Sequence, residues 1–422
     1  MNSWIRLEVI AFSRRTGVRW MLLFWPLLIF AASWSTELYH RTISSATDAL
    51  RAEESAYYET LIQTAMKLES GAIPPDSLLW YQMPTNPLVS GLFRASGHHA
   101  IKPVSSSRWL AIGFADVQPP AYQVKMGRVM PPSSISLENP LNQALGRFDT
   151  AFLLVFLLPL FCITLAYDIM SKDRQLGLMD LTRAYGQPIW KVAMARGIIH
   201  ALFWVGTTLT SLLIAAVWIS EIQLQEWHPL MGALTLYILF FVGISVVLNL
   251  KSDSPIRNGL QMVSIWLLFL ILIPSLANAW LQAAYPPPSR SMDVAAHRSA
   301  EISSEQAVGS PAATAGWHEY WTTEFLRRQR TDRLHRIETE RTDQNLEYRH
   351  QISHRIEWFS PALWFQSQLL NTAGVSASQY SEFRKSVHIF EKRWTAHFMG
   401  AFQAERLLTL DELGNRPSFD QP

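Results

Sequence analysis

The chain has 422 residues, of which 49% are hydrophobic and 17% charged, with a formal net charge of +2. That balance excludes a wholly soluble globular protein and a bundle buried entirely in lipid, and it gives no footing for a nucleic-acid partner. The single cysteine, Cys162, rules out an intrachain disulfide, so the regions outside any membrane must be held by packing.

Residues 1–16 mix Trp4, Ile5, Leu7, Ile10 and Phe12 with Arg6, Glu8 and Arg14, the pattern of a helix lying on a membrane surface. A first span follows at 18–36, with Pro26 inside it and Trp20, Trp25 and Trp34 as interfacial aromatics. Its arginine-led start and the Ala31-Ala32-Ser33 end resemble a secretory signal. The long leader and the helix-forming residues beyond favour an uncleaved anchor. Residues 37–70 read as a polar helix that stops before Gly71 and Pro74-Pro75. Prolines then recur, and two extended stretches, Trp109 to Phe114 and Tyr122 to Met126, suggest short strands. Residues 36–149 therefore form one insert, helical first and irregular afterwards.

A second span begins at Thr150. A charged amphipathic segment, 171–184, follows it, and Gly186-Gln187-Pro188 turns the chain into a third span at 197–219. Ala193, Gly197 and Ala201 give that span a small-residue face, read as packing within the subunit in preference to a dimer seam. A loop from Glu221 to Trp227 carries acids and no Lys or Arg. The fourth span is 229–250, a short basic loop holds Lys251 and Arg257, and the fifth span is 259–281 with Pro274 inside it. Beyond 284 the reading is a Ser/Ala-rich linker to Gly316 and a long charged helix, 317–357, with an apolar stripe at Leu334, Ile337, Tyr348, Ile352, Ile356 and Phe359. Helices then start at Pro361 and near Ser378. The expected fold class is thus an all-α polytopic membrane protein with about five transmembrane helices and two large extracytoplasmic segments, 36–149 and 284–422. Lys and Arg cluster before the first span, between the second and third, and between the fourth and fifth, which sets the amino terminus in the cytoplasm and the carboxy terminus outside.

Little in the chain suggests catalysis. No G-x-x-x-x-G-K-[ST] stretch exists, so nucleotide phosphates cannot be cradled in that manner. His350 and His354 have the i, i+4 spacing of a metal pair, but Gln351-Ile352-Ser353 between them lacks the glutamate of a zinc protease, and they read as solvated histidines. His200, near one end of the third span, reads as a structural hydrogen-bonding group, with proton or substrate contact as the alternative. Asp149 stands where it would cap the second span.

Several of these residues fall into a pattern. Asn139-Pro140, then Gly146, Phe148 and Asp149, precede Leu158-Pro159-Leu160. Ser171, Asp173, Arg174, Gly177, Leu178 and Met179 follow, then Gly186, Lys191 and Arg196. Farther on come Ser360-Pro361-Ala362, Ala373-Gly374 and Phe383. The set resembles the ABC-2-type transporter permeases, in particular a bacterial subgroup with large periplasmic inserts. Asp173 stands for that family's Glu, Leu178 for Thr and Met179 for Leu. The resemblance implies a permease subunit of an ATP-driven exporter in a bacterial inner membrane, not itself an enzyme and without a cofactor of its own. ATP and Mg would be used by a separate ATPase, which would dock on a coupling helix through Asp173, Arg174, Gly177, Asp180, Arg183 and Gly186. Leu176, Met179 and Leu181 would hold that helix to the membrane. It also implies a homodimer or a sister permease, contact with lipid, a periplasmic partner, and a gating role for Asp149. The family has a sixth span near where this sequence stops. The alternative is a membrane scaffold or sensor whose extracytoplasmic helices bind a ligand or partner.

Overall fold

The computed structural model describes residues 3–93, 96–130, 148–184, 186, 188–219, 227–252, 254–286, 290–309 and 316–419. Helix α1 (Ser3–Ser13) turns at Arg15 into α2 (Thr16–Glu69), a single helix of 54 residues, which at about 1.5 Å per residue is about 80 Å long. The sequence suggested a span and a separate polar helix, and the structure joins them. No Gly or Pro lies between Ser33 and Tyr39, and the Thr36 hydroxyl donates back to the Ala32 carbonyl at 2.8 Å. The apolar first part of α2 crosses the membrane, and the polar remainder projects as a mast.

The second span, α4, is interrupted. It runs Thr150–Phe152, a π turn Leu153–Leu157, then Leu158–Ala166. The cause is Pro159, which has no N–H and whose ring crowds the carbonyl of Val155 four residues back. That freed carbonyl is taken by the Tyr237 hydroxyl at 2.7 Å, and the next, on Phe156, by Trp266 Nε1 at 3.1 Å. The short helices α5 (Ser171–Gln175) and α6 (Leu178–Ala184) follow. The remaining spans are α7 (Ile189–Ile219), α8 (His228–Lys251) and α9 (Pro255–Leu267, a π turn Leu268–Leu272, and Ile273–Ala284). Pro274 sets the π turn of α9 as Pro159 sets that of α4. Among the described residues five helices are long and apolar enough to cross a bilayer. The chain is an all-α multi-pass membrane protein with, among the described residues, one small sheet outside the spans.

The small-residue face of α7 packs within the subunit. Ala193 and Ala201 are buried, and a Cβ at Gly197 would stand 2.6 Å from Val246 Cγ2 of α8. The loop Glu221 to Trp227 lies outside the described residues except for Trp227, as do Asn139, Pro140 and Gly146.

On the side away from α5 and α6, the mast of α2 packs with α3 (Pro87–Gly91) and an antiparallel sheet of β1 (His98–Ile101), β2 (Ala121–Lys125) and β3 (Arg128–Met130). Helices α13 (Ala377–Gln403) and α14 (Leu410–Gly414) complete this core, centred on Tyr58, Phe383, Trp394 and Phe398. The strand expected at Tyr122 to Met126 is present as β2. Trp109 to Phe114 is not a strand. It forms tight 3-10 turns at Arg108–Leu110 and Gly113–Asp116 and buries Trp109, Leu110 and Ile112 in the core of the membrane bundle. The apolar run Trp109 to Ile112 reflects burial of all four residues, which periodicity cannot separate from a strand.

The expected linker after 284 instead contains a helix, α10 (Arg290–Val308), lying along α11 (Trp317–Ile356). Leu334, Tyr348 and Phe359, part of the expected apolar stripe, are exposed. After the turn Glu357–Phe359 the chain reverses at Ser360-Pro361 into α12 (Pro361–Thr372). This helix enters the bundle. Phe365 is fully buried and stacks on Tyr237 of α8 at 4.6 Å, and the Ser360 hydroxyl donates to the Phe269 carbonyl in the π turn of α9 at 2.7 Å. Trp358 and Phe359 at the reversal are 78% and 73% exposed.

Candidate functional site

The elbow between α4 and α7 gathers most of the residues that the sequence singled out. An amide at the end of α8 organises it. Asn249 is fully buried, and its Oδ1 accepts from the backbone of Met170 and Ser171 at 3.2 and 3.3 Å and from Asn258 Nδ2 at 3.1 Å. Its Nδ2 donates to the carbonyls of Ala166 and Ser245 at 3.2 and 2.9 Å. The last turn of α4 and the first of α5 would otherwise leave backbone groups unpaired in a poorly hydrated place, so one side chain meets that need for both helix ends.

Arginines add the outer ties. Arg196 of α7 donates to Asp173 at 2.6 Å, to the Ile169 carbonyl at 2.7 Å and, through Nε and Nη2, to both oxygens of Glu8 in α1 at 2.9 and 3.0 Å. Arg174 donates to the carbonyls of Ser252 and Leu250 at 3.1 and 3.3 Å. Arg15 meets Asp168 at 3.3 Å. Beneath them Ile169, Met170, Met179, Val192 and Val246 form a small apolar core.

The expected single coupling helix is two, broken at Gly177, whose φ of +72° a side chain would strain. The break divides the roles. Asp173 and Arg174 face inward and are ties, not free contacts. Asp180 and Arg183 pair with one another at 3.1 Å on an open face, 83% and 64% exposed. Gly186, also exposed, turns the chain toward α7. Met179 is buried in the apolar core of the elbow, whereas Leu176 is 64% exposed beside exposed Leu178, because the break at Gly177 changes the helical phase. The side chain of Leu181 lies outside the described residues. Sequence reasoning missed Glu8, Asn249 and Asn258. A lone Asn near the end of an otherwise apolar span was the available signal.

His200 lies on α7 one turn beyond Arg196, buried against Phe12 of α1 with ring centroids 4.6 Å apart, and its Nδ1 has no hydrogen-bond partner. The interhelical hydrogen bond expected of it is absent at that nitrogen. Asp149 does cap α4. Its Oδ1 accepts from the Phe152 amide at 2.7 Å and its Oδ2 from the Ile112 amide at 3.0 Å, which also fixes the 109–116 turns to the span. His354 pairs with Glu357 at 2.7 Å on the surface, and the side chain of His350 lies outside the described residues. Among the described residues no group of three or more His, Cys, Asp or Glu is placed to hold a metal.

A second polar centre lies in the domain at the far end of α2. Glu54 receives His98 Nδ1 at 2.7 Å, the His99 amide at 2.8 Å and His99 Nδ1 at 3.1 Å, while His98 Nε2 accepts from the Phe419 amide at 3.0 Å. Burial alone would raise the Glu54 carboxyl, but the hydrogen bonds from His98 and His99 outweigh it and hold it down at about 2. This centre staples the tail to the sheet.

Residues 313–421 match a family model described as a domain of unknown function, DUF3526. The matched stretch is α11 to α14, so it includes the helix that enters the bundle as well as part of the domain outside it. No curated protein and no solved structure matches the chain.

Proposed function

We propose that the chain is the permease subunit of an ABC-2-type ATP-driven exporter in a bacterial inner membrane, with the elbow in the cytoplasm and the sheet-bearing domain outside. The observation that carries this reading is the division of the elbow into a bolted inner face and an open outer one. Leu176, Leu178, Asp180 and Arg183 offer a small apolar and charged knob to a partner. Asn249, Arg174 and Arg196 pass any displacement of that knob to α1, α4, α7, α8 and the start of α9. A hinge-like elbow that merely joined two spans would not need ties to five helices.

In this mechanism a separate ATPase, carrying ATP and Mg, grips the knob and closes on nucleotide binding. The push moves α4 and α8 together. At their other ends both helices meet α12 through Val155, Tyr237 and Phe365, so movement at the elbow shifts the re-entrant helix between two packings. The exposed face of α9, with Ile256, Leu260, Leu276 and Trp280, faces lipid or a second permease, either another copy or a sister subunit. The positive residues near the elbow favour its cytoplasmic placement.

The test is site-specific photocrosslinking. A photoreactive residue at Leu178 or Asp180 of the full chain in its native membrane should form an adduct with a polypeptide that contains a P-loop. The same residue at Trp80, on the opposite side, should not. The double reversal Asp180→Arg/Arg183→Asp should weaken capture while leaving the chain folded. A folded chain that yields no P-loop adduct from either elbow position contradicts the proposal and favours a scaffold without an ATPase.

A further inference from the structure

A crevice of about 310 Å³ opens between α4 and α12. Phe152, Val155 and Phe156 form one wall, Gln366 and Leu370 the other, and Val117 stands at the edge. Asp149, which also borders it, has both oxygens committed to backbone amides. The walls are therefore mostly apolar, with the Gln366 amide as the other polar lining group.

Its depth follows from the length of α4. From Thr150 to Ala166 α4 has 17 residues, or about 25 Å of helix, which falls short of the roughly 30 Å thickness of the hydrocarbon layer. The span has no length to spare. Its first two turns, which line the crevice, must lie within the edge of the hydrocarbon on the side opposite the elbow. Phe152 at 39% and Val117 at 57% exposed show that the crevice opens outward to the surroundings of the bundle. An apolar cleft open to lipid at this depth would forfeit dispersion contacts if left empty. Its volume lies near the lower end of the roughly 300–1,000 Å³ range of small-molecule sites, which suits one hydrocarbon chain and not two.

We infer that this crevice binds one acyl chain of a phospholipid from the leaflet opposite the elbow, wedged between α4 and α12 against the π turn. The inference rests on the multi-pass fold and not on any ATPase. The chain's wall includes Val155 and Phe156, the residues whose carbonyls Tyr237 and Trp266 hold. An occupant there supports the widened turn and spaces α12 from α4.

The experiment uses the purified full chain in nanodiscs of phosphatidylethanolamine and phosphatidylglycerol, doped with phosphatidylglycerol bearing a mid-chain diazirine. After irradiation, adducts should concentrate on residues 151–156 and 366–370, several-fold above those at Leu202 and Leu236, which are exposed elsewhere on the bundle. Val117→Trp, which narrows the mouth from an exposed loop position, and Leu370→Trp, which fills the wall, should each remove most of the crevice adducts and leave those at Leu202 and Leu236 unchanged. Adducts at the crevice no stronger than at the control positions, or unaffected by Val117→Trp in a chain that stays monodisperse, overturn the inference. So does labelling by a free diazirine fatty acid without labelling by the phospholipid. Loss of the topology itself, read from cysteine accessibility, would be a separate failure.

Discussion

Replacing Arg196 by Ala should loosen the elbow from the bundle without unfolding the domain. The side chain makes bonds to Glu8, Asp173 and the Ile169 carbonyl, and the side-chain exposures of Arg196, Glu8 and Asp173 are 18%, 17% and 29%. Removing one partner of a buried pair costs about 3–5 kcal/mol, because the other charges lose their compensation. Asp173 retains some water, so the lower end applies, about 3 kcal/mol. Arg196→Lys keeps the charge but cannot reach Glu8, Asp173 and the carbonyl together, and should recover less than half of the loss. The assay is unfolding of the full chain in detergent by added dodecyl sulfate, with tryptic cleavage after Lys172 and Arg183 as the local readout. The Ala variant should be cleaved much faster at the elbow. A loss within about 0.5 kcal/mol, the range of an ordinary surface change, with unaltered cleavage would refute the clamp.

Gly197→Ala sets a Cβ 2.6 Å from the stiff Val246 side chain, so thermal unfolding should show a loss of about 1–3 kcal/mol that Val246→Ala partly reverses. Tyr237→Phe strips the donor from the Val155 carbonyl that Pro159 already leaves bare and should lower stability by about 1–3 kcal/mol by the same measurement. The Glu54 carboxyl falls from 4.5 when unfolded to about 2 in the fold. Its stabilisation is fully present above 4.5 and drains as the pH falls through that window, amounting to about 3 kcal/mol. Glu54→Gln should be less stable at neutral pH and lose less on acidification to pH 3. An acid response equal to that of the unaltered chain would count against the staple.

The spans were legible because crossing a bilayer demands an apolar run that few other structures need. The prolines at 159 and 274 stand in the sequence, but the π turns before them were not legible from it, since Pro26 sits in an unbroken helix. What caught the freed carbonyls was not legible, since Tyr237 and Ser360 lie 82 and 91 residues away from Val155 and Phe269. At the elbow, composition revealed charge but not direction. Asp173 and Asp180 look alike in sequence, yet Gly177 changes the helical phase between them, so one became a tie and the other part of the open face. The placement of α12 was hidden for a related reason. Residues 361–372 have the pattern of an ordinary amphipathic helix, and stacking of Phe365 on Tyr237 is what sets its depth. The linker expected after 284 misled because Ser and Ala were weighed as flexible composition, although the alanines from Val294 to Ala300 also favour a helix that α11 can support.

The proposed topology is a five-span bundle with the elbow and the α8–α9 loop on the cytoplasmic side and the sheet-bearing domain on the other. Single cysteines at Asp180, Lys251 and Trp80, probed with a membrane-impermeant maleimide, test it directly, because the native Cys162 is buried and silent. With that topology Trp80→Cys reacts once the outer envelope is opened, and Asp180→Cys and Lys251→Cys react together and only after the inner membrane is breached. Labelling of Asp180→Cys and Lys251→Cys from opposite sides, or of Trp80→Cys from the same side as both, would contradict it.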